Sequence, residues 1–179
     1  MRLFVGIALP PDIRMALGTL CSGLSGARWA KPESMHVTLR FVGEAGLGAA
    51  HDLDAALSDV RVPAFEMRFS GIGDFSQKSR LKALWAGVAA NPALALLQGK
   101  VEKAVQRAGF PPDGRKFTPH MTLARFKGQR VDLGHYLEAN GAFSTEPFLV
   151  ESFTLFQSHL GHGGSHYEVL NEYPLPAAL

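Results

Sequence analysis

One pattern recurs in this sequence together with its surroundings. Met35-His36-Val37-Thr38-Leu39-Arg40-Phe41 and Pro119-His120-Met121-Thr122-Leu123-Ala124-Arg125-Phe126 both carry His-x-Thr-Leu followed by Arg-Phe. The two histidines lie 84 residues apart, nearly half of the 179-residue chain. In an extended strand, residues i and i+2 share a face. His36 therefore projects with Thr38, and His120 with Thr122. Val37, Leu39 and Phe41 take the opposite face of the first copy, and Met121 and Leu123 that of the second, where they can anchor in a core. If two related lobes pack about a pseudo-two-fold axis, the polar pairs meet across a cleft.

Two facing imidazoles suit phosphodiester chemistry. One neutral ring takes a proton from a water or hydroxyl nucleophile, and one imidazolium returns a proton to the leaving oxygen. An ordinary histidine pKa near 6.5 lets both forms exist near neutrality. Threonine hydroxyls donate to the non-bridging phosphate oxygens, whose charge grows in the transition state. Arginine adds bidentate phosphate recognition, and no metal is required. Arg40, four residues after its histidine, falls on the histidine face of a regular strand. Arg125, five residues after His120, falls on the opposite face unless a bulge re-aims it. Spacing alone leaves open which arginine reaches the phosphate.

The elements that must position these residues can be read from periodicity. Strands are expected at Leu3 to Leu9, Met35 to Val42, Phe65 to Ile72, Leu81 to Val88, Thr118 to Phe126, Phe148 to Phe156 and Tyr167 to Tyr173. Helices are expected from Pro11 to about Leu24, from Gly48 to Val60 and from Pro92 to Ala108, with a short helix or turn at Val131 to Ala139. The third is the clearest: Leu94, Leu97, Val101, Ala104 and Val105 form one stripe, and Gly109 is the stop. Strand pairs joined by short turns point to α+β with antiparallel sheets and helices on their outer faces. No linker divides residues 1–179, which read as one bilobal domain.

Composition narrows the class. Hydrophobic residues make up 46% and charged residues 19%, an ordinary globular balance. One cysteine, Cys21, excludes an internal disulfide framework and a Cys-ligated zinc site. The net charge of +2 permits a polyanionic partner without demanding one. Apolar runs are too short to span a membrane. Arg2 followed by Leu3 to Leu9 has the outline of a signal peptide but no small-residue cleavage site, so a cytoplasmic location is expected.

These motif blocks resemble the 2H phosphoesterase superfamily, and within it the RNA 2′,3′-cyclic phosphodiesterases also called 2′-5′ RNA ligases (the LigT/ThpR group). The resemblance runs from Arg2-Leu3-Phe4-Val5-Gly6-Ile7-Ala8-Leu9-Pro10 through Arg28-Trp29, Lys31-Pro32-Glu33 and His36 to Glu44. It continues over Lys82 to Val88 and Phe117 to Arg125, and ends at Ser158 to Leu170. It implies a bilobal α+β fold around a central cleft and metal-independent hydrolysis of a terminal 2′,3′-cyclic phosphate to a 2′-phosphomonoester. A 2′-5′ ligation would accompany it. Carried over, His36 and His120 are the acid/base pair, Thr38 and Thr122 hold the phosphate, Arg125 matches the second-motif arginine and Arg40 is a further contact. The direction expected makes His36 the acid and His120 the base. Implied partners are RNA with 2′,3′-cyclic phosphate ends, tRNA fragments among them, or small cyclic nucleotides, with a monomeric protein, no cofactor and no membrane.

One stretch departs from the family pattern. Ser158 to Tyr167 holds His159, His162 and His166, which reads as a solvated turn or, in a rival view, as ligands of a metal-dependent hydrolase. A second rival is an RNA-end-binding module without useful turnover. Gly71-Ile72-Gly73-Asp74-Phe75 reads as a turn. Lys78, Arg80 and Lys82 form a basic cluster able to track an RNA backbone. Trp29, Trp85, Phe75 and Phe156 are candidate base-stacking residues whose default is core packing.

Overall fold

The computed structural model describes residues 1–179. Its elements follow in chain order as β1 (Arg2–Ala8), α1 (Pro11–Gly18), β2 (Arg28–Trp29), a 3₁₀ turn (Pro32–Ser34), β3 (His36–Glu44), α2 (Leu47–Ser58), β4 (Phe65–Met67), β5 (Phe69–Gln77) and β6 (Arg80–Val88). The remainder are α3 (Pro92–Arg107), β7 (His120–Arg125), α4 (Gly134–Asn140), β8 (Phe148–Val150), β9 (Ser152–Gly161) and β10 (Gly164–Pro174). Two four-stranded antiparallel sheets result, ordered β10-β9-β1-β3 and β2-β7-β6-β5, with β4 and β8 pairing separately. The architecture is α+β, as the strand pairing in the sequence implies. The motif strands β3 and β7 belong to different sheets and lie against one another.

A continuous cluster of 36 buried residues runs through both sheets and the helices. Val37 and Leu39 of β3, and Met121 and Leu123 of β7, are all buried in it. Helix α3 buries Leu94, Leu97, Val101, Ala104 and Val105. Its start is set by Pro92 and by the Asn91 side chain, which accepts from the Leu94 amide at 3.1 Å. Each apolar side chain removed from water contributes about 1.5–3 kcal/mol, so the histidine strands are held by the faces opposite their histidines.

Four local expectations are corrected. Helix α1 stops at Gly18, six residues before Leu24. The chain leaves the helix there, and Leu20 buries itself while its carbonyl accepts from the Tyr136 hydroxyl at 2.8 Å. The glycine-rich Gly71 to Phe75 is strand, not turn. Gly71, at φ +81°, sits at a register shift in β5, and a Cβ on Gly73 would come within 2.2 Å of the Trp85 indole. Glycine marks a bulge and a close approach there, while the hairpin turn is Lys78-Ser79, both at positive φ. The three-histidine stretch is mostly strand as well, since β9 and β10 extend through it to Gly161 and from Gly164. Finally, Phe41 is 39% exposed with the Arg2 guanidinium 5.2 Å above its ring, where a core anchor is expected.

Candidate active site

A bulge in each motif strand decides what reaches the cleft. On β3, Gly6 of β1 pairs with Thr38 and Val5 with Arg40, so Leu39 is skipped. On β7, Trp85 of β6 pairs with Thr122 and Leu84 with Ala124, so Leu123 is skipped. Each bulge places two consecutive residues inward: Leu39 and Arg40 in the first strand, Leu123 and Ala124 in the second. The next residue then returns to the histidine face. That residue is Phe41 on β3 and Arg125 on β7.

Arg125 is accordingly exposed, and its positive charge lowers the pKa of both His36 and His120. The charge on His120 also lowers the pKa of His36. Both rings and one guanidinium thus lie close enough to feel one another's charge, on motif strands that pack together. Arg40 is corrected in the other direction. It is 6% exposed and ion-paired with Glu102 of α3, also donating to the carbonyls of Pro111 and, at 2.6 Å, Phe41. Burial raises the Glu102 carboxyl, but bonds from Arg40, the Asp113 amide and Gln106 outweigh this and leave it below its ordinary range. Arg40 is thus a strut from β3 to α3 and faces away from the histidines.

The two imidazoles are oriented by the same device. His36 Nδ1 lies 2.8 Å from the Ser34 carbonyl and His120 Nδ1 2.6 Å from the Thr118 carbonyl. A carbonyl only accepts, so Nδ1 carries the proton and each neutral ring presents its Nε2 lone pair to the cleft. At His36 that lone pair accepts from the Thr38 hydroxyl at 2.9 Å.

Aromatic walls complete each half. Around His36 stand Phe4 (centroids 4.8 Å), Tyr167 (5.1 Å, edge-on) and Phe156 (6.0 Å). Around His120 stand Phe75 (5.1 Å, edge-on) and Trp85 (5.5 Å). Phe75, Trp85 and Phe156 therefore flank the rings, whereas Trp29 stacks on Tyr136 and packs against the core. Phe4 and Tyr167 escape sequence reasoning, because nothing in their spacing ties them to His36. Burial is the main cause that brings the His36 pKa down to about 4; Arg125 and His120 act in the same sense and the Ser34 bond against them. Burial and Arg125 lower His120 in the same sense, against the Thr118 bond. Both shifts favour the neutral ring at pH 7 in the free protein.

A family model described as the 2′-5′ RNA ligase superfamily matches residues 12–162, which include both motifs. The chain belongs to this superfamily. Its relatives include the RNA 2′,3′-cyclic phosphodiesterase of Archaeoglobus fulgidus, 30% identical over 97% of this chain and 99% of that one. The protein of the same description from Thermus thermophilus is 31% identical over 98% and 90%. Escherichia coli LigT, solved with 3′-AMP, superposes with a TM-score of 0.81 at 26% identity, covering 97% of each chain. The superfamily fold is that of the two sheets and cleft described above.

The remaining sequence candidates lie elsewhere. His159 and His166 face each other across the β9–β10 hairpin at 6.2 Å, and His159 Nε2 is 2.8 Å from Glu168 Oε2. His162 sits in the two-residue turn, and no three His, Cys, Asp or Glu side chains are placed to hold a metal ion. His51 and His135 are exposed. No helix is long and apolar enough to cross a membrane.

Proposed function

We propose that this superfamily member hydrolyses the 2′,3′-cyclic phosphate at an RNA end to a 2′-phosphomonoester, using His36 and His120 and no metal ion. The observation that carries the reading is the pair of His-Thr strands facing one cleft with Arg125 bearing on both imidazoles. The names of the relatives support the choice of substrate.

The phosphate sits between the two threonine hydroxyls. His120, the less enclosed ring, takes a proton from water through Nε2 as the water oxygen attacks phosphorus. The P–O3′ bond breaks, and His36 Nε2 delivers its proton to the departing 3′ oxygen. The 2′ ester bond stays, giving a 2′-phosphate and a 3′-hydroxyl, and the proton on His120 returns to His36 through solvent. A 5′-hydroxyl of RNA attacking in place of water gives a 2′-5′ linkage. Burial favours the neutral form of His36 in the free protein, so its acid form depends on the substrate. The bound phosphate anion supplies the counter-charge that burial withholds and raises the pKa of His36. Protonation of Nε2 also releases the Thr38 hydrogen from the ring, freeing it to bond a phosphate oxygen.

The test is incubation with an oligoribonucleotide bearing a 2′,3′-cyclic end, with and without EDTA. The expected product is the 2′-phosphate, formed at the same rate in both. Binding without turnover would leave an RNA-end-binding module. Loss of turnover in EDTA would return the site to a metal-dependent hydrolase.

A further inference from the structure

On the cleft face of the second sheet, two arginines oppose one another. Arg28 of β2 and Arg125 of β7 are direct cross-strand partners. Their neighbours Trp29 and Ala124, the next pair in register, point inward: Ala124 is buried and Trp29 packs on the core. Alternation therefore sends both arginines to the other face, which carries His120, Thr122 and Trp85. Like charges placed directly opposite repel and destabilise a strand pair. Nothing in the protein relieves this pair. The ion pairs of the molecule use Met1, Arg40, Arg115, His135 and His159, and both cleft arginines are exposed without a carboxylate partner.

Two unneutralised guanidinium groups beside a site for one phosphate call for a second anion. The cyclic phosphate carries a single negative charge, and Arg125, whose charge reaches both imidazoles, is placed to meet it. Arg28 lies one strand further out and is left over. We propose that Arg28 binds a second phosphate, the linkage joining the terminal nucleotide to its 5′ neighbour, so that the cleft selects RNA chain ends over free 2′,3′-cyclic mononucleotides. This rests on the activity proposed above and adds to it the residue that reads the chain beyond the cyclic phosphate. The guanidinium fork suits a phosphodiester, whose two non-bridging oxygens accept paired N–H bonds.

Three substrates separate the possibilities: cyclic CMP with a 2′,3′ phosphate, a dinucleotide ending in the same group, and that dinucleotide with a neutral methylphosphonate in its internal linkage. For the unaltered protein, kcat/KM on the charged dinucleotide should exceed that on the methylphosphonate by about tenfold, the worth of one charge-assisted contact. Arg28→Ala should erase this difference and leave cyclic CMP unchanged; Arg28→Lys should restore part of it. The salt dependence of log kcat/KM for the charged dinucleotide should also fall by about 0.7 in Arg28→Ala, the slope of one single-strand phosphate contact. Arg28 is exposed, so the variant should fold, which its thermal melt checks. Equal turnover of the two dinucleotides by the unaltered protein overturns the proposal while leaving the activity in place, as does an equal loss on all three substrates in Arg28→Ala. Turnover of none of the three removes the activity reading and this one with it.

Discussion

The two halves of the cleft share a motif and a strand bulge but not an environment. His36 is packed among Phe4, Phe156 and Tyr167, with Nε2 engaged by Thr38. His120 leans on Phe75 and Trp85 and keeps Nε2 open to the cleft. At the position where each bulged strand returns to the cleft, the first half carries Phe41 and the second Arg125. One position earlier, the first half buries Arg40 against Glu102, while the second buries Ala124. A repeated backbone thus sets geometry, and unequal side chains set charge. The repeated strand geometry presents two like imidazoles, and it is on their unlike surroundings that the proposed division into acid and base rests.

The largest effect expected follows from deleting either ring. His36→Ala and His120→Ala should each lower kcat/KM for a 2′,3′-cyclic end by about 10²-fold or more. The halves separate when the 3′ oxygen of the substrate is replaced by sulfur, a leaving group that needs no proton. That substrate should restore His36→Ala toward the unaltered rate and leave His120→Ala slow. Rescue of His120→Ala instead would exchange the two roles.

The two arginines offer the sharpest contrast between structure and chemistry. Arg40→Ala takes the charged partner from Glu102 and leaves the Phe41 and Pro111 carbonyls without its donors, a cost of about 1–3 kcal/mol. Its melting temperature should fall, while the folded fraction keeps its turnover. Arg125→Ala removes an exposed charge that opposes Arg28 in the free protein, so melting should not fall, while kcat/KM should drop about tenfold or more. If Arg40→Ala melted normally and lost turnover, a phosphate ligand would have been mistaken for a strut.

That contrast also marks how far the sequence could be read. That His36 shares a face with Thr38, and His120 with Thr122, was legible because a two-residue spacing fixes a shared face in any strand. Helix α3 was legible because its apolar stripe, Pro92 and Gly109 agree. The arginines were not, because a bulge shifts the face of everything after it, and Leu39 and Leu123 look like ordinary core positions. Regular alternation puts Arg40 in the cleft and Arg125 outside, the reverse of what the bulges produce. Gly71 and Gly73 failed for a related reason. Glycine serves a turn, a bulge or a close ring contact equally well, and only the position of Trp85 tells which.

The acid form of His36 gives a smaller effect, visible as a shift rather than a loss. Burial and neighbouring positive charge lower both rings, so both limbs of the kcat/KM bell, which reports the free protein, should lie below 6.5. Once the phosphate anion is bound, the His36 pKa rises, and the falling limb of kcat should move to higher pH than that of kcat/KM. Initial rates across the acid to mildly alkaline range measure both limbs. Coincident limbs would mean that the substrate does not recruit the proton.

The smallest expected effect belongs to stability and again distinguishes the halves. The folded-state pKa of His36, about 4, is below the ordinary 6.5 of an exposed histidine. Between those values the unfolded chain binds more protons than the folded one, so stability falls as pH drops through that window. Above it the neutral ring costs nothing further, and the contribution is flat. His36→Gln keeps a polar side chain but cannot titrate, so its denaturation midpoint should vary less between pH 6.5 and pH 4. His120→Gln should flatten the curve less, because its ring is the less enclosed of the two and its pKa less displaced. Equal flattening by the two variants would show that solution, unlike the cleft described here, does not distinguish the two rings by burial.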